Sequence, residues 1–139
     1  MHINTKNKSD NCLLDLFKKN YKNNKEYPPE YQYKCILECD YWFTIYDTET
    51  DNIIASCSIC IENDNIYEIN DVLVEEKYRG NNYSILLIMN VLHHLEQNNN
   101  NLLIKIHSEI ASDAYYCYKK IFGKEYRKDK KYAYFSYKL

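Results

Sequence analysis

A chain of 139 residues is long enough to bury one core without help from metals or disulfides, so a single domain over residues 1–139 is expected. The formal charge of −2 supplies no general attraction for nucleic acid or an anionic membrane, since such binding is driven by clustered Lys and Arg. The absence of an apolar run near the ~20 residues of a membrane span, and of an apolar core in MHINTKNKSD, predicts a soluble cytoplasmic protein with no membrane partner.

Six cysteines without a secretory leader are expected to be free thiols. Cys35, Cys39, Cys57 and Cys60 have the paired look of a zinc site, which would make a metal-stabilised interaction domain. Strand periodicity opposes that reading, because Cys57 and Cys60 would point to opposite faces of one strand. The expected metal set is therefore none.

Residues 1–5 predict a short strand, and Ser9 or Asp10 offers an N-cap for a helix bearing Leu13, Leu14, Leu16 and Phe17. Tyr27-Pro28-Pro29 must be a loop, because proline has no amide to donate and restricts the residue before it. A short helix or extended piece follows through Ile36 and Leu37. From Tyr41 the pattern becomes three strands, YWFTIY, IIASCSICI and IYEINDVLV, separated by the polar turns DTETDN and ENDN. An antiparallel meander is the simplest arrangement.

Apolar residues from Tyr83 to Leu95 cover most of a helical circumference, which predicts a largely buried helix. His93 and His94 on it cannot face one site and are expected to be structural. LLIKIH predicts a further strand, and Ala111 to Phe122 a helix stopped by Gly123. KEYRK and YAYFSYKL flank the charged turn at Asp129 and predict a closing hairpin.

The informative stretch is DVLVEEKYRGNNYSILL, in which a strand ends at Val74, a charged turn follows and a helix starts at once. The first amides of a helix lack internal partners and sit at the positive end of its dipole, so such a turn can hold a phosphate through its backbone. Arg79 adds a fixed positive charge. This stretch resembles the acetyl-CoA-binding motif of the GNAT acetyltransferases, with Arg79 at its first position and Asn82 and Ser84 at its two small-residue positions. Ala114, Tyr118, Lys120 and Phe122-Gly123 resemble that family's second motif, with the aromatic and glycine inverted and Ala111 where an Asn is frequent.

The resemblance implies an α/β (α+β) fold with a mixed, mostly antiparallel central sheet of six to seven strands flanked by three to four helices. It implies acetyl-CoA as cosubstrate, held by Leu73, Val74, Arg79, Gly80, Asn81, Asn82, Tyr83 and Ser84, with the Leu73 and Val74 amides facing the thioester. It also implies transfer of the acetyl group to a primary amine by direct attack. Glu68, six residues before Val74, matches the family's catalytic glutamate, and strand periodicity puts both on one face unless a bulge intervenes. Asp71 is the competing base, and Tyr118 matches the tyrosine that protonates the departing thiolate. A noncatalytic CoA-binding module is the alternative. The acceptor, and whether the protein is a monomer or homodimer, stay open.

Overall fold

The computed structural model describes residues 2–5, 31, 34, 38–50, 52–98 and 101–139. The predicted first helix and the Pro28-Pro29 loop lie outside the described residues, as does Cys35. The elements in chain order are β1 (His2–Thr5), β2 (Tyr41–Tyr46), β3 (Ile53–Asn63), β4 (Ile66–Val74), α1 (Tyr83–Asn98), β5 (Leu103–Glu109), α2 (Asp113–Phe122), β6 (Arg127–Lys128) and β7 (Tyr132–Lys138). A single 3₁₀ turn at Glu76–Tyr78 joins β4 to α1.

The strands form one seven-stranded sheet in the order β1-β2-β3-β4-β5-β7-β6. All neighbours are antiparallel except β4 and β5, whose connection through α1 makes them parallel. Of the predicted segments, β2 and β4 have the expected ends, whereas the hairpin strand β6 shrinks to two residues. Its turn is held by Asp129, whose carboxylate accepts from the amides of Lys131 and Tyr132.

Side chains alternate across β3, so Ala55, Cys57 and Ile59 join the main core beneath α1 and α2, while Cys60 packs with Cys39, Trp42, Ile53 and Leu73 on the other face. Cys57 and Cys60 thus lie on opposite sides of the sheet, as the periodicity requires. The core face carries Phe43, Ile45, Ile69, Ile104, Ile106 and Phe135, all nearly inaccessible. Leu87, Ile88, Val91, Leu92 and Leu95 of α1 close over it at helical spacing. Truncating a fully enclosed member such as Leu87 to Ala costs about 2 to 5 kcal/mol, the usual price of a core cavity.

The helix α1 is less buried than its composition predicts. Leu86 and Met89 are exposed, as are His93 and His94, because the sheet covers only one side of the cylinder. His93 meets Gln97 one turn on, and His94 stacks edge-on against Phe43. At the end of α2, Gly123 takes φ +80° and returns its amide to the Lys119 carbonyl, as a C-terminal stop requires. Ala111 has φ +61° and lies before Ser112, which caps the helix by accepting from the Tyr115 amide.

Candidate active site

The strands β4 and β5 pair only at Ile66–Leu103, Tyr67–Ile104 and Glu68–Lys105, and from there they part. What drives them apart on the β4 side is a bulge. The register against β3 jumps from Ser58–Asn70 to Ser56–Leu73, which leaves Asp71 and Val72 opposite Cys57 alone, and Asp71 takes φ +53°. A bulge residue in the left-handed region bends its strand, so the sheet opens into a V.

The bulge reverses the alternation of side chains. Glu68 shares a face with Cys60, to which it is paired, and Val74 shares a face with Ala55 in the main core. Glu68 and Val74 therefore point to opposite sides of the sheet, which corrects the unbulged expectation of a common face. Leu73 is turned to the Trp42 side.

Backbone direction changes with the register as well. Glu75 donates its amide to Ile54 at 2.8 Å, so Val74, one residue earlier and opposite Ala55, is a non-hydrogen-bonded position whose N–H and C=O face away from β3 into the opening. The Arg79 Nε donates to that Val74 carbonyl at 3.1 Å. Leu73, in the alternate position, directs its amide toward β3, so of the two amides expected in the opening the register supplies that of Val74.

The opening continues into a cleft of about 540 Å³ bounded by Val72, Val74, Arg79, Asn82, Ser84 and Tyr118, among others. Its far end is the turn into α1. Gly80 has φ +81° and Asn82 φ +61°, and Leu86 donates to the Asn82 carbonyl, so the helix begins there. Among the described residues no backbone carbonyl accepts from the amides of Gly80 through Ile85. These donors sit at the positive end of a 16-residue helix, which is what a pyrophosphate needs. Asn81 braces the turn by donating to the carbonyls of Tyr78 and Arg79. Tyr78 and Tyr83 close it with an edge-to-face contact of 5.9 Å between ring centroids.

The other wall is α2. Tyr118 is 5% exposed, its ring packed edge-on against Phe122 and Phe135, and it borders the cleft. Tyr116 lines the rim, and Tyr115 packs on Phe135. Cys117 faces Ser84 of α1, with 3.8 Å between sulfur and oxygen.

Asp71 lies on the opposite face at the mouth of the V. Its carboxylate accepts from Ser58 Oγ at 3.3 Å, and burial raises its pKa above the ordinary 3.8, an effect that the Ser58 hydrogen bond and the His107 charge only partly offset. Glu68 sits at the vertex, its Oε1 3.4 Å from Nδ1 of His107. The His107 ring lies against Tyr132 and Tyr134, at 5.5 Å and 5.8 Å between centroids. Neither His107 nor Ser58 stands out in the sequence. The signal is visible only once the parallel register sets His107 two residues beyond the Glu68–Lys105 pair.

The donor geometry fits a CoA thioester: free amides for the diphosphate, one strand amide in the opening and a largely apolar wall along α2. A model of the "Acetyltransferase (GNAT) family" matches residues 11–123. No curated protein matches the chain by sequence. Among solved structures, an aminoglycoside 6'-acetyltransferase type Ii superposes with a TM-score of 0.80 at 13% identity, covering 99% of this chain and 97% of its own. An aminoglycoside 6'-N-acetyltransferase from Enterococcus faecium gives 0.76 at 10% identity with the same coverage. A GNAT family acetyltransferase from Elizabethkingia anophelis with acetyl-CoA bound gives 0.75 at 14% identity, again over 99% and 97%. At such identities these likenesses establish the fold.

Proposed function

The chain belongs to the acetyltransferase (GNAT) family and is an acetyl-CoA-dependent acyltransferase, and we propose that its acceptor is a primary amine attacking the thioester directly within the V between β4 and β5. The observation that carries this reading is the continuity of the opening with the free amides of the α1 turn, which lets one extended cosubstrate reach from the helix to the strand gap. Acetyl-CoA supplies the acetyl group already activated as a thioester.

The residues divide the remaining work. The amides from Gly80 to Ser84 and the Arg79 charge hold the diphosphate, and the Val74 amide receives the pantetheine arm or the thioester carbonyl, where it favours negative charge developing on oxygen. The nitrogen of an alkylammonium acceptor, with a pKa near ~10, sheds two protons on becoming an amide. One passes to a base on the acceptor side, and one leaves with the sulfur.

Asp71 is the stronger choice of base. The bulge turns it to the face opposite the cofactor cleft, which supports approach of the acceptor from that face, and burial raises its pKa toward that of the group it must deprotonate. Glu68, at the vertex, holds His107 beside it and acts as a positioning residue. Tyr118, on the cofactor side, is the group that returns a proton to the thiolate. The test is release of CoA thiol from acetyl-CoA in the presence of primary amines, with mass detection of the acetylated product. Stoichiometric CoA release and amide formation support the reading. Binding of acetyl-CoA with no amide formed from any primary amine supports the CoA-binding module instead.

A further inference from the structure

We propose that a second, polar pocket on the face of the sheet opposite α1 and α2 is the acceptor site, and that it selects a primary amine whose far end is a carboxylate. This rests on the acyl-transfer reading above and adds the chemical class of the acceptor.

The pocket encloses about 180 Å³ and is bounded by Glu62, Glu68, Lys105, His107, Arg127 and Tyr134, with Tyr126 at its rim. Its place in the fold is what gives it meaning. Glu68 and Lys105 form the last paired position of β4 and β5, and His107 lies just past it, so the pocket begins where the strands part. His107 also reaches Asp71 electrostatically. An amine seated over His107 would stand at the mouth of the V, across the sheet from the cofactor cleft.

The charges then set the class. Lys105 Nζ lies 3.6 Å from Glu62, and His107 lies 3.4 Å from Glu68, so both pocket carboxylates already face a basic group. Arg127 differs. Among the described residues no carboxylate comes within ion-pair distance of it, and its guanidinium lies 4.0 Å from the Tyr134 ring centroid. The neighbouring Asp129 directs its carboxylate to the Lys131 and Tyr132 amides and to the Tyr134 hydroxyl, which fixes the ring on which Arg127 rests. The guanidinium also reaches the Tyr134 hydroxyl and the Asp129 charge, and the donors of its fork left over suit a planar partner, which a carboxylate matches.

The dimensions agree. Arg127, Tyr134 and His107 occupy facing positions on three adjacent strands, which places Arg127 roughly 10 Å from His107 across the sheet. An extended ω-amino acid of about 6 Å between nitrogen and carboxylate, with a hydrogen bond at each end, spans that gap. A diamine would instead bring a second ammonium toward Arg127 and Lys105, where like charges repel.

The experiment compares three amines that share one reacting end: δ-aminovalerate, its uncharged amide, and cadaverine. Each is assayed for CoA release at saturating acetyl-CoA, and δ-aminovalerate is also titrated calorimetrically into the CoA-saturated protein. The expected result is a kcat/KM for δ-aminovalerate roughly tenfold or more above that of the amide, and higher still above cadaverine. Arg127→Met, a change at an exposed position, should bring the carboxylate-to-amide ratio close to unity and weaken the calorimetric binding. Preference for cadaverine, a ratio that Arg127→Met leaves intact, or δ-aminovalerate that neither reacts nor binds would each overturn the assignment. Acetyl-CoA binding measured on the same samples separates the two levels: if it is present, only the acceptor class falls, and if it is absent, the acyl-transfer reading falls too.

Discussion

Glu68 Oε1 stands 3.4 Å from Nδ1 of His107, across the point at which β4 and β5 cease to pair. Both side chains are partly exposed, so the contact adds little to stability, but it fixes an imidazole at the mouth of the V. If the two act as one unit, Glu68→Gln and His107→Gln should each lower turnover, and the double variant should be no worse than the poorer single. Thermal unfolding of both should stay within about 0.5 kcal/mol of the parent. Additive losses in turnover would show that the residues act separately.

Asp71 should leave two signatures in pH. As a base it works only when ionised, so turnover should rise with pH through a limb lying above the ordinary carboxylate range, and Asp71→Asn should abolish most turnover, roughly a hundredfold or more, with acetyl-CoA affinity retained. Stability should move the other way. A carboxyl whose folded pKa is raised binds its proton more tightly in the folded protein, so its favourable contribution is complete below 3.8 and is lost as pH rises through the raised value. Asp71→Asn should accordingly unfold at a higher temperature than the parent near neutral pH, with the advantage vanishing in acid.

Tyr118 is enclosed by Phe122 and Phe135 yet borders the cofactor cleft. Tyr118→Phe keeps that packing and removes only the hydroxyl. Steady-state kinetics should show kcat reduced by roughly a hundredfold, with the acetyl-CoA dissociation constant within about twofold of the parent. A variant of full activity would assign Tyr118 to packing alone.

The turn into α1 makes a backbone prediction. A Cβ on Gly80 would meet open space, so its substitution is governed by φ +81° and not by crowding. Gly80→Ala should cost about 1 kcal/mol in stability and weaken acetyl-CoA binding as the turn relaxes. Asn82, already at φ +61°, should accept Gly without loss of binding. Chemical denaturation and calorimetry on the two variants check both statements.

Much of this architecture is legible in the residues. The apolar runs at Tyr41–Tyr46 and Ile66–Val74, bounded by polar turn residues, mark their strands to the residue, and Gly123 marks the end of α2, because a run between turn signals and a left-handed stop are local properties. The bulge is not local. Nothing in EINDVLV announces that Asp71 will take φ +53°, so Glu68 and Val74 look like neighbours on one face until the β3 register is known. The buried fraction of α1 is hidden for the same reason: Leu86 and Met89 are as apolar as Leu87 and Ile88, and only the extent of the sheet decides which pair is covered. His107 becomes a site residue solely through its placement beside Glu68, a contact between strands some 40 positions apart in the chain.

The most direct test of the central claim is isothermal titration of acetyl-CoA into the purified protein, beside Arg79→Ala. The free amides from Gly80 onward and the Arg79 charge predict saturable binding at a single site, weakened by roughly 1 to 3 kcal/mol in the variant. A folded protein that takes up no acetyl-CoA would contradict the account.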